Sequence, residues 1–530
     1  MKAEVRLGEF PSPPVVKPTL KLTLRCRIGG RRRELAFGLA LAGALIAVSI
    51  EARAEDPCVL WARTAGKFTS GGVALSPAGD FLVAEEVYPY PNAFVLKFNS
   101  EGSLVASNAF FGADVNALAV DQAGAIYLTG WIGTNGSFNY PTEQGLFVAK
   151  YDQDFNRIWV STESPQPPGT IHRSYANRLV RDVQGNVYVG GVSQGPTTLG
   201  STVFGDSTGT RPLFCKYDSS GQLLWARRIE FTPSGTLDGG EVYDIAVDSS
   251  GNVIVSGFLR EGTADFGGMI LYPGSSGHSF GGDSYIAKYN PNGELLWVQL
   301  AYGLGAVSTS GEIYVNFSWV DVGYSGIAKL DPEGGLVWSK QWPANLYPPS
   351  GMTLDPAGQL VFAGTFVDTV TVDGITLRSR SVGWEDFYVA KANTQGTFQW
   401  AISGGGTEYD SGGAVVCDPH GNVYFEGGLR KDPGSFGGFP LTPAPGAASW
   451  DMTLVLAKIA PSPPLKIASQ AGGARISWPV GATNYVLEAA TSLPAVSWNP
   501  VTNNPIVGPT ERSVQLPVTG AAKFFRLRRP

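Results

Sequence analysis

Short runs of alternating apolar and polar residues, separated by glycine- and asparagine-bearing turns, recur along most of this chain. Alternation with a period of two predicts half-buried β-strands. The stretch 243–297 shows the repeating unit in full. A strand at 245–248 turns through Ser249, Ser250, Gly251 and Asn252 into a second strand at 253–257, and a long glycine-rich insertion follows. A third strand at 285–290, a turn at Pro291, Asn292 and Gly293, and a last strand ending at Trp297 complete four strands in about sixty residues.

The first turn, usually Asp-x-x-Gly, is anchored by Gly79, Gly124, Gly185, Gly251, Gly311, Gly358 and Gly421, spaced 45, 61, 66, 60, 47 and 63 residues apart. Aspartate there accepts backbone N–H bonds, and glycine takes the positive φ that a tight hairpin requires. The second turn is marked by a lysine with tryptophan nine residues later: Lys150/Trp159, Lys216/Trp225, Lys288/Trp297, Lys329/Trp338 and Lys391/Trp400. Lys97 has Ala106 in the tryptophan position. Two half copies remain, a tryptophan strand at 60–63 and a lysine strand at 454–458. Joined, they make a seventh unit. The expected fold is therefore all-β: a seven-bladed β-propeller of four-stranded blades, closed by pairing of N- and C-terminal strands and followed by a small β-sandwich.

The copies resemble the SBBP-type β-propeller repeat of bacterial surface and secreted proteins, over roughly residues 57–460. The resemblance rests on the glycine–asparagine strand openings (Gly185, Asn186; Gly421, Asn422), on F-G-G-x-x-L insertions at 266–271 and 436–441, and on the lysine strands. It implies a fold and leaves function open, because one propeller scaffold carries many unrelated activities.

Residues 1–34 are basic, 35–50 are apolar and uncharged, and Ala52, Arg53 and Ala54 form a small-x-small site. This predicts a signal peptide with a long basic leader over 1–54, since sixteen apolar residues fall short of a bilayer span. The expected location is that of an exported bacterial protein, extracellular or on the cell surface, with the periplasm also open. The leader carries 10 of the 39 Lys+Arg and 4 of the 45 Asp+Glu, so the remainder has a net charge of −12. That balance argues against nucleic acid and anionic lipid as partners. A propeller over 55–460, a proline-rich linker at 461–464 and a fibronectin-III-like sandwich over 465–530 complete the expected order, with Trp478 and Tyr485 as a core pair. The basic end at Arg526, Arg528 and Arg529 reads as a solvated terminus, a surface contact or a sorting signal.

Candidate chemistry is sparse. Cys58, Cys215 and Cys417 show no metal spacing, and Cys58 and Cys417 belong to opposite strands of one blade, roughly 14 Å apart; all three read as buried small residues. His172, His278 and His420 stand in separate loops. Asp152 and Asp154 mimic a calcium loop but coincide with a standard turn. Departures from quinone-dependent dehydrogenases (no vicinal cysteines) and from the sialidase box count against enzyme activity, and no cofactor or metal is expected. First strands line a propeller's axis, where small residues dominate except Arg178 and Asp244. These two, joined by Asn116, Asn177 and Tyr243, form the candidate binding set at the channel mouth; an ion pair tying two blades is the structural alternative. Insertions at 131–145, 192–212, 258–284, 365–386 and 428–452 emerge on one face. The leading expectation is a monomeric, non-enzymatic binding or scaffold protein that takes a glycan or protein partner there. A polysaccharide lyase or hydrolase with its groups at the axis is the alternative.

Overall fold

The structure, a computed structural model, describes residues 57–528 except 68–71, 87–91, 134–143, 165–172, 206–208, 233–238, 261, 273–282, 301–302, 320–323, 445–450, 463–464, 471–472, 481, 483–484, 491–496, 509–510 and 518–522; before residue 57 it describes only the backbone strands Lys21–Ile28, Arg31–Gly38, Ala40–Leu41 and Ala44–Val48. The described elements are β-strands, and they fall into two units, 61–459 and the combination of 1–60 with 460–530. The expected cleavage point after Ala54, together with His172 and His278, lies outside the described residues.

The larger unit is a succession of antiparallel four-strand meanders. Gly240–Val247, Val253–Leu259, Asp283–Tyr289 and Leu295–Leu300 pair in that order, as the alternation over 243–297 predicts. The same order recurs from Val73–Leu75 to Leu104–Phe111, from Ala113–Val120 to Arg157–Thr162, from Arg173–Arg181 to Leu223–Arg228, from Gly303–Val307 to Leu336–Trp342, and from Gly351–Leu354 to Phe398–Gly405. Ser411–Cys417, Val423–Leu429 and Thr453–Ala460 take Cys58–Lys67 as their fourth strand. Each first strand lies against the first strand of the next meander, and Ser411–Cys417 lies against Val73–Leu75. This is the architecture of a β-propeller.

Three devices repeated in the sequence hold the turns in place and join neighbouring sheets. The first is the turn aspartate. Asp248 Oδ1 accepts the N–H groups of Ser250 and Asn252 at 2.9 Å each, while its Oδ2 faces Lys288 Nζ at 3.1 Å, both side chains buried. The second is the tryptophan. Trp225 donates its indole N–H to Pro291 O at 3.0 Å, and a β-carbon added to Gly293 would stand 3.1 Å from its ring. Trp159 does the same over Gly221, Trp297 over Gly334, Trp338 over Gly396, and Trp61 over Gly102. Each indole therefore lies on the second turn of the following sheet, at a glycine whose φ is positive. The third is the insertion. Phe266 and Phe436 are buried at the roots of glycine-tipped hairpins, and Phe436 meets the rings of Phe387 and Phe425.

The one gap in the tryptophan series is matched by a gap in the glycine series. Ala106 replaces tryptophan, and the turn it faces carries Phe155 at φ 64°, packed into the same apolar cluster as Phe110 and Ala113. A large side chain on the turn thus fills the space that an indole fills elsewhere.

In the smaller unit, Lys466–Gln470, Gly473–Pro479, Glu511–Leu516 and Ile506–Val507 form one sheet. Val486–Ala490, Asn499–Pro500 and Lys523–Arg528 belong to a second. Ile476, Trp478, Leu487, Val514 and Phe525 make its core, with Tyr485 packed on it and Cys58 and Leu60 included. Two sequence readings change here. Arg526 and Arg528 are not a solvated end: their Nε atoms reach Glu488 at 2.8 and 2.6 Å, and Arg526 also covers the Trp498 ring. Cys417 is only partly buried, because a first strand faces the axis on one side; Cys58 and Cys215 are buried.

The Trp–Gly complementarity gives a direct test. Ala106→Trp alone should overpack the Phe155 side and lower the thermal midpoint, by roughly 1–3 kcal/mol of stability. Phe155→Gly alone should lose buried ring packing at a similar cost. Combined, the two changes recreate the neighbouring pattern, and the double variant should melt above either single one. Additive losses by calorimetry would show that Phe155 does not occupy the indole's place.

Candidate functional site

Five first strands carry a register shift: between Val115 and Ala117, Ala176 and Arg178, Val242 and Asp244, Leu304 and Ala306, and Gly412 and Val415. A bulge inserts one unpaired residue and re-aims its side chain. Asn116, Asn177 and Tyr243 are such residues, a feature that strict alternation does not reveal. Asn116 Nδ2 donates to Ala176 O and Asn177 Nδ2 to Val242 O, each at 2.8 Å. Both amides therefore tie one first strand to the next. Tyr243 makes no such tie, and half of its surface is exposed.

Arg178 and Asp244 come together as the sequence suggested, with Nε and Oδ1 4.0 Å apart. Arg178 Nη1 donates to Asn177 O at 3.0 Å, and Asp244 Oδ1 accepts Ile245 N–H at 2.9 Å. About a third of the Asp244 side chain is accessible, and protein encloses the rest. That enclosure governs the cost of its charge: desolvation pushes the carboxyl up to about 6, with Arg178 and the Ile245 amide pulling the other way. A second carboxyl lies in the field of Arg178. Glu426 is buried, accepts the Ala414 N–H, and leaves Oε1 without a partner among the described residues; desolvation pushes it up to about 8. Glu426 belongs to a second strand, outside the first-strand positions that sequence places at the axis. Its signal is an acid at a position where the other copies carry Ala84, Thr129, Gly190, Ser256, Asn316 and Ala363.

A third cluster stands where Arg173–Arg181 meets Gly240–Val247. Glu241 Oε2 accepts Tyr175 O–H at 3.2 Å and faces Asn177 Nδ2 at 3.5 Å, and Tyr243 also bonds to it. Burial first, then the Glu241 charge, pushes both phenols up to about 12, so they remain donors. Tyr285 lies buried within electrostatic reach of Glu241 and Tyr243, its hydroxyl without a partner among the described residues.

The insertions rise on one face because the same connection in each meander points the same way. Thr197–Leu199 pairs Thr202–Phe204, Thr263–Asp265 pairs Ile270–Leu271, Thr369–Val372 pairs Ile375–Arg378, and Gly434–Phe436 pairs Phe439–Leu441. Apolar side chains are exposed on or beside three of them: Val203, Met269, Ile270 and Tyr272, and, after Arg378, Val382 and Trp384, with Val382 at 89%. Beneath the last two hairpins, Asp386 and Asp410 are buried on either side of Gly405, each oxygen about 2.5 Å from where its β-carbon would stand. Asp386 Oδ2 accepts Arg380 N–H, and Asp410 accepts the N–H groups of Gly406 and Arg430. Desolvation raises Asp386 to about 7, with Asp410 adding to the rise, and raises Asp410 to about 6.

The turn expected at Asp152 is present. Asp152 Oδ1 accepts the N–H groups of Asp154 and Asn156, which makes that segment a turn. No group of three or more metal-ligating side chains assembles among the described residues. No family model and no curated protein matches the chain. Solved structures similar to it include the WD40 β-propeller domain of Doa1 (10% identity, TM-score 0.40, 76% of this chain and 96% of that one) and the Dos1 propeller (10% identity, TM-score 0.37, 75% and 93%).

Two measurements check this geometry. At 4.0 Å and in partial contact with solvent, the Arg178–Asp244 pair should couple by about 1 kcal/mol or less in a double-mutant cycle. The buried acids set a pH dependence. Asp386 and Asp410 hold protons in the folded chain that the unfolded chain releases near pH 4, so their contribution is undiminished below that value and is lost as pH rises toward about 7. Asp386→Asn keeps an acceptor oxygen and removes one charge. It should raise stability at pH 8 by roughly 1–2 kcal/mol and leave it unchanged near pH 4. An equal effect at both pH values would remove charge as the cause.

Proposed function

We propose that this chain is an exported, non-enzymatic binding or scaffold protein, a seven-bladed propeller closed by the strands at 58–67 and 453–460, which holds a protein partner on its insertion face. The cyclic order of first strands supports the ring, and the shared sheet of Cys58–Lys67 with Thr453–Ala460 supports its closure. The observation that carries the binding reading is the set of exposed apolar side chains on the insertion hairpins. Val203, Ile270 and Tyr272 stand on or directly after the first two hairpins, whose strands are paired, and Val382 and Trp384 lie in the segment that follows Arg378 on the same insertion. Rigid crests with apolar tips bind at low ordering cost, and aromatic tips contribute most at interfaces. A glycan stacking on Tyr272 or Trp384 is the other occupant this face suits.

The axial acids favour a second reading, a polysaccharide lyase or hydrolase. Asp244 and Glu426 share the field of Arg178, and both hold protons more tightly than an ordinary carboxyl. Proton donation near neutral pH is what a general acid supplies.

The two readings separate by variant. In cross-linking and pull-down from the native secretome, Tyr272→Ser with Trp384→Ser should lose the captured protein while the melting curve stays unchanged. Retained capture by that variant removes the crest from the reading. Release of reducing ends or unsaturated products from polysaccharides, lost in Glu426→Gln, would instead establish the enzyme.

A further inference from the structure

We propose that Tyr243, Glu241, Asn177 and Tyr175 form a saccharide-binding subsite for a neutral hexopyranose at the mouth of the axis, separate from the insertion crest. The argument begins with the bulge. In the two preceding sheets the bulged residue is asparagine, and its amide is used up on a neighbouring carbonyl. In the next sheet the corresponding shift falls at Gly305, which has no side chain to offer. Tyr243 alone among these sets a large ring at the same place, half exposed and turned toward Glu241.

Half of that ring is left to solvent, whereas the tryptophans that join the sheets rest on turn glycines. The surroundings match what a pyranose requires. An exposed aromatic face accepts the C–H face of a sugar, and a carboxylate with an amide beside it pairs with adjacent hydroxyls. Glu241 supplies the acceptor, already aligned by the Tyr175 hydroxyl at 3.2 Å. Asn177 Nδ2, whose main bond is to Val242 O, stands 3.5 Å from the same carboxylate. Beneath them the buried Tyr285 hydroxyl, unpartnered among the described residues, adds a donor that a ligand or water can satisfy. Arg173 covers the Tyr175 ring and Arg260 acts on Tyr243, so cations flank the one carboxylate and no strong net field selects for a charged sugar.

The test uses the full chain with three soluble neutral probes, cellohexaose, laminarihexaose and maltohexaose, titrated by calorimetry. At least one should bind. Tyr243→Ala should weaken it about tenfold or more, and Glu241→Gln should weaken it less. Tyr243→Phe, which keeps the stacking face, should stay within about threefold of the parent, and a melting curve on each variant excludes misfolding. The crest variant at Tyr272 and Trp384 should bind the sugar as the parent does, which keeps this outcome independent of the protein-partner reading. Absence of binding by all three probes at millimolar concentration overturns the proposal, and so does a Tyr243→Ala chain that binds unchanged.

Discussion

The propeller depends on an indole resting on a glycine. Trp61, Trp159, Trp225, Trp297 and Trp338 each reach out of their own sheet, lay the ring on the second turn of the next one, and donate the N–H to a carbonyl of that turn. The residue two positions later adds a second bond in four cases: Arg227 to Gly293 O, Gln299 to Gly334 O, Ser161 to Gly221 O and Arg63 to Glu101 O. Glycine is required there twice over, because the turn needs positive φ and because a β-carbon would collide with the ring. The contact is directional, so it fixes the order of sheets as well as their spacing. Where the indole is missing, the turn side chain grows to Phe155 and accepts the strain of φ 64°.

The lysine–carboxylate pairs obey a similar exchange. Lys288 meets Asp248, and Lys391 meets Asp355 at 2.7 Å. In two sheets the turn residue is serine, Ser76 or Ser308, and the acid moves four positions onward: Asp80 for Lys97 at 3.1 Å and Glu312 for Lys329 at 2.6 Å. A buried ammonium without an acid is costly, so the carboxylate is kept even when its place in the chain changes. These pairs occupy the face with the tight turns. The opposite face, freed from that duty, carries the insertions, the apolar tips and the raised carboxyls of Asp386 and Asp410.

This division separates repeated contacts from variable ones. The tight-turn face is built from repeated side chains that have little freedom to vary without loosening the contacts between neighbouring sheets. The insertion face and the axial mouth vary from sheet to sheet, as with Arg178, Tyr243 and Glu426 against the small residues of the other copies. Side chains unlike those of the other copies therefore gather away from the tight turns.

The sequence by itself determined the strands, the turns and their period, because alternation, turn glycines and buried ion pairs are local or nearly local demands. It also pointed to Arg178 and Asp244, since charges among Gly72, Ala117, Gly351 and Ala414 are visible by comparison of copies. Bulges were not legible. They depend on how a first strand meets its neighbours, and they decided that Asn116 and Asn177 hold strands together while Tyr243 faces outward. Nor did spacing reveal that Glu241 gathers two phenols, or that Asp386 and Asp410, 24 residues apart, flank one glycine. Those encounters lie between sheets, where distance along the chain carries no information and only the packed ring sets which side chains share an environment.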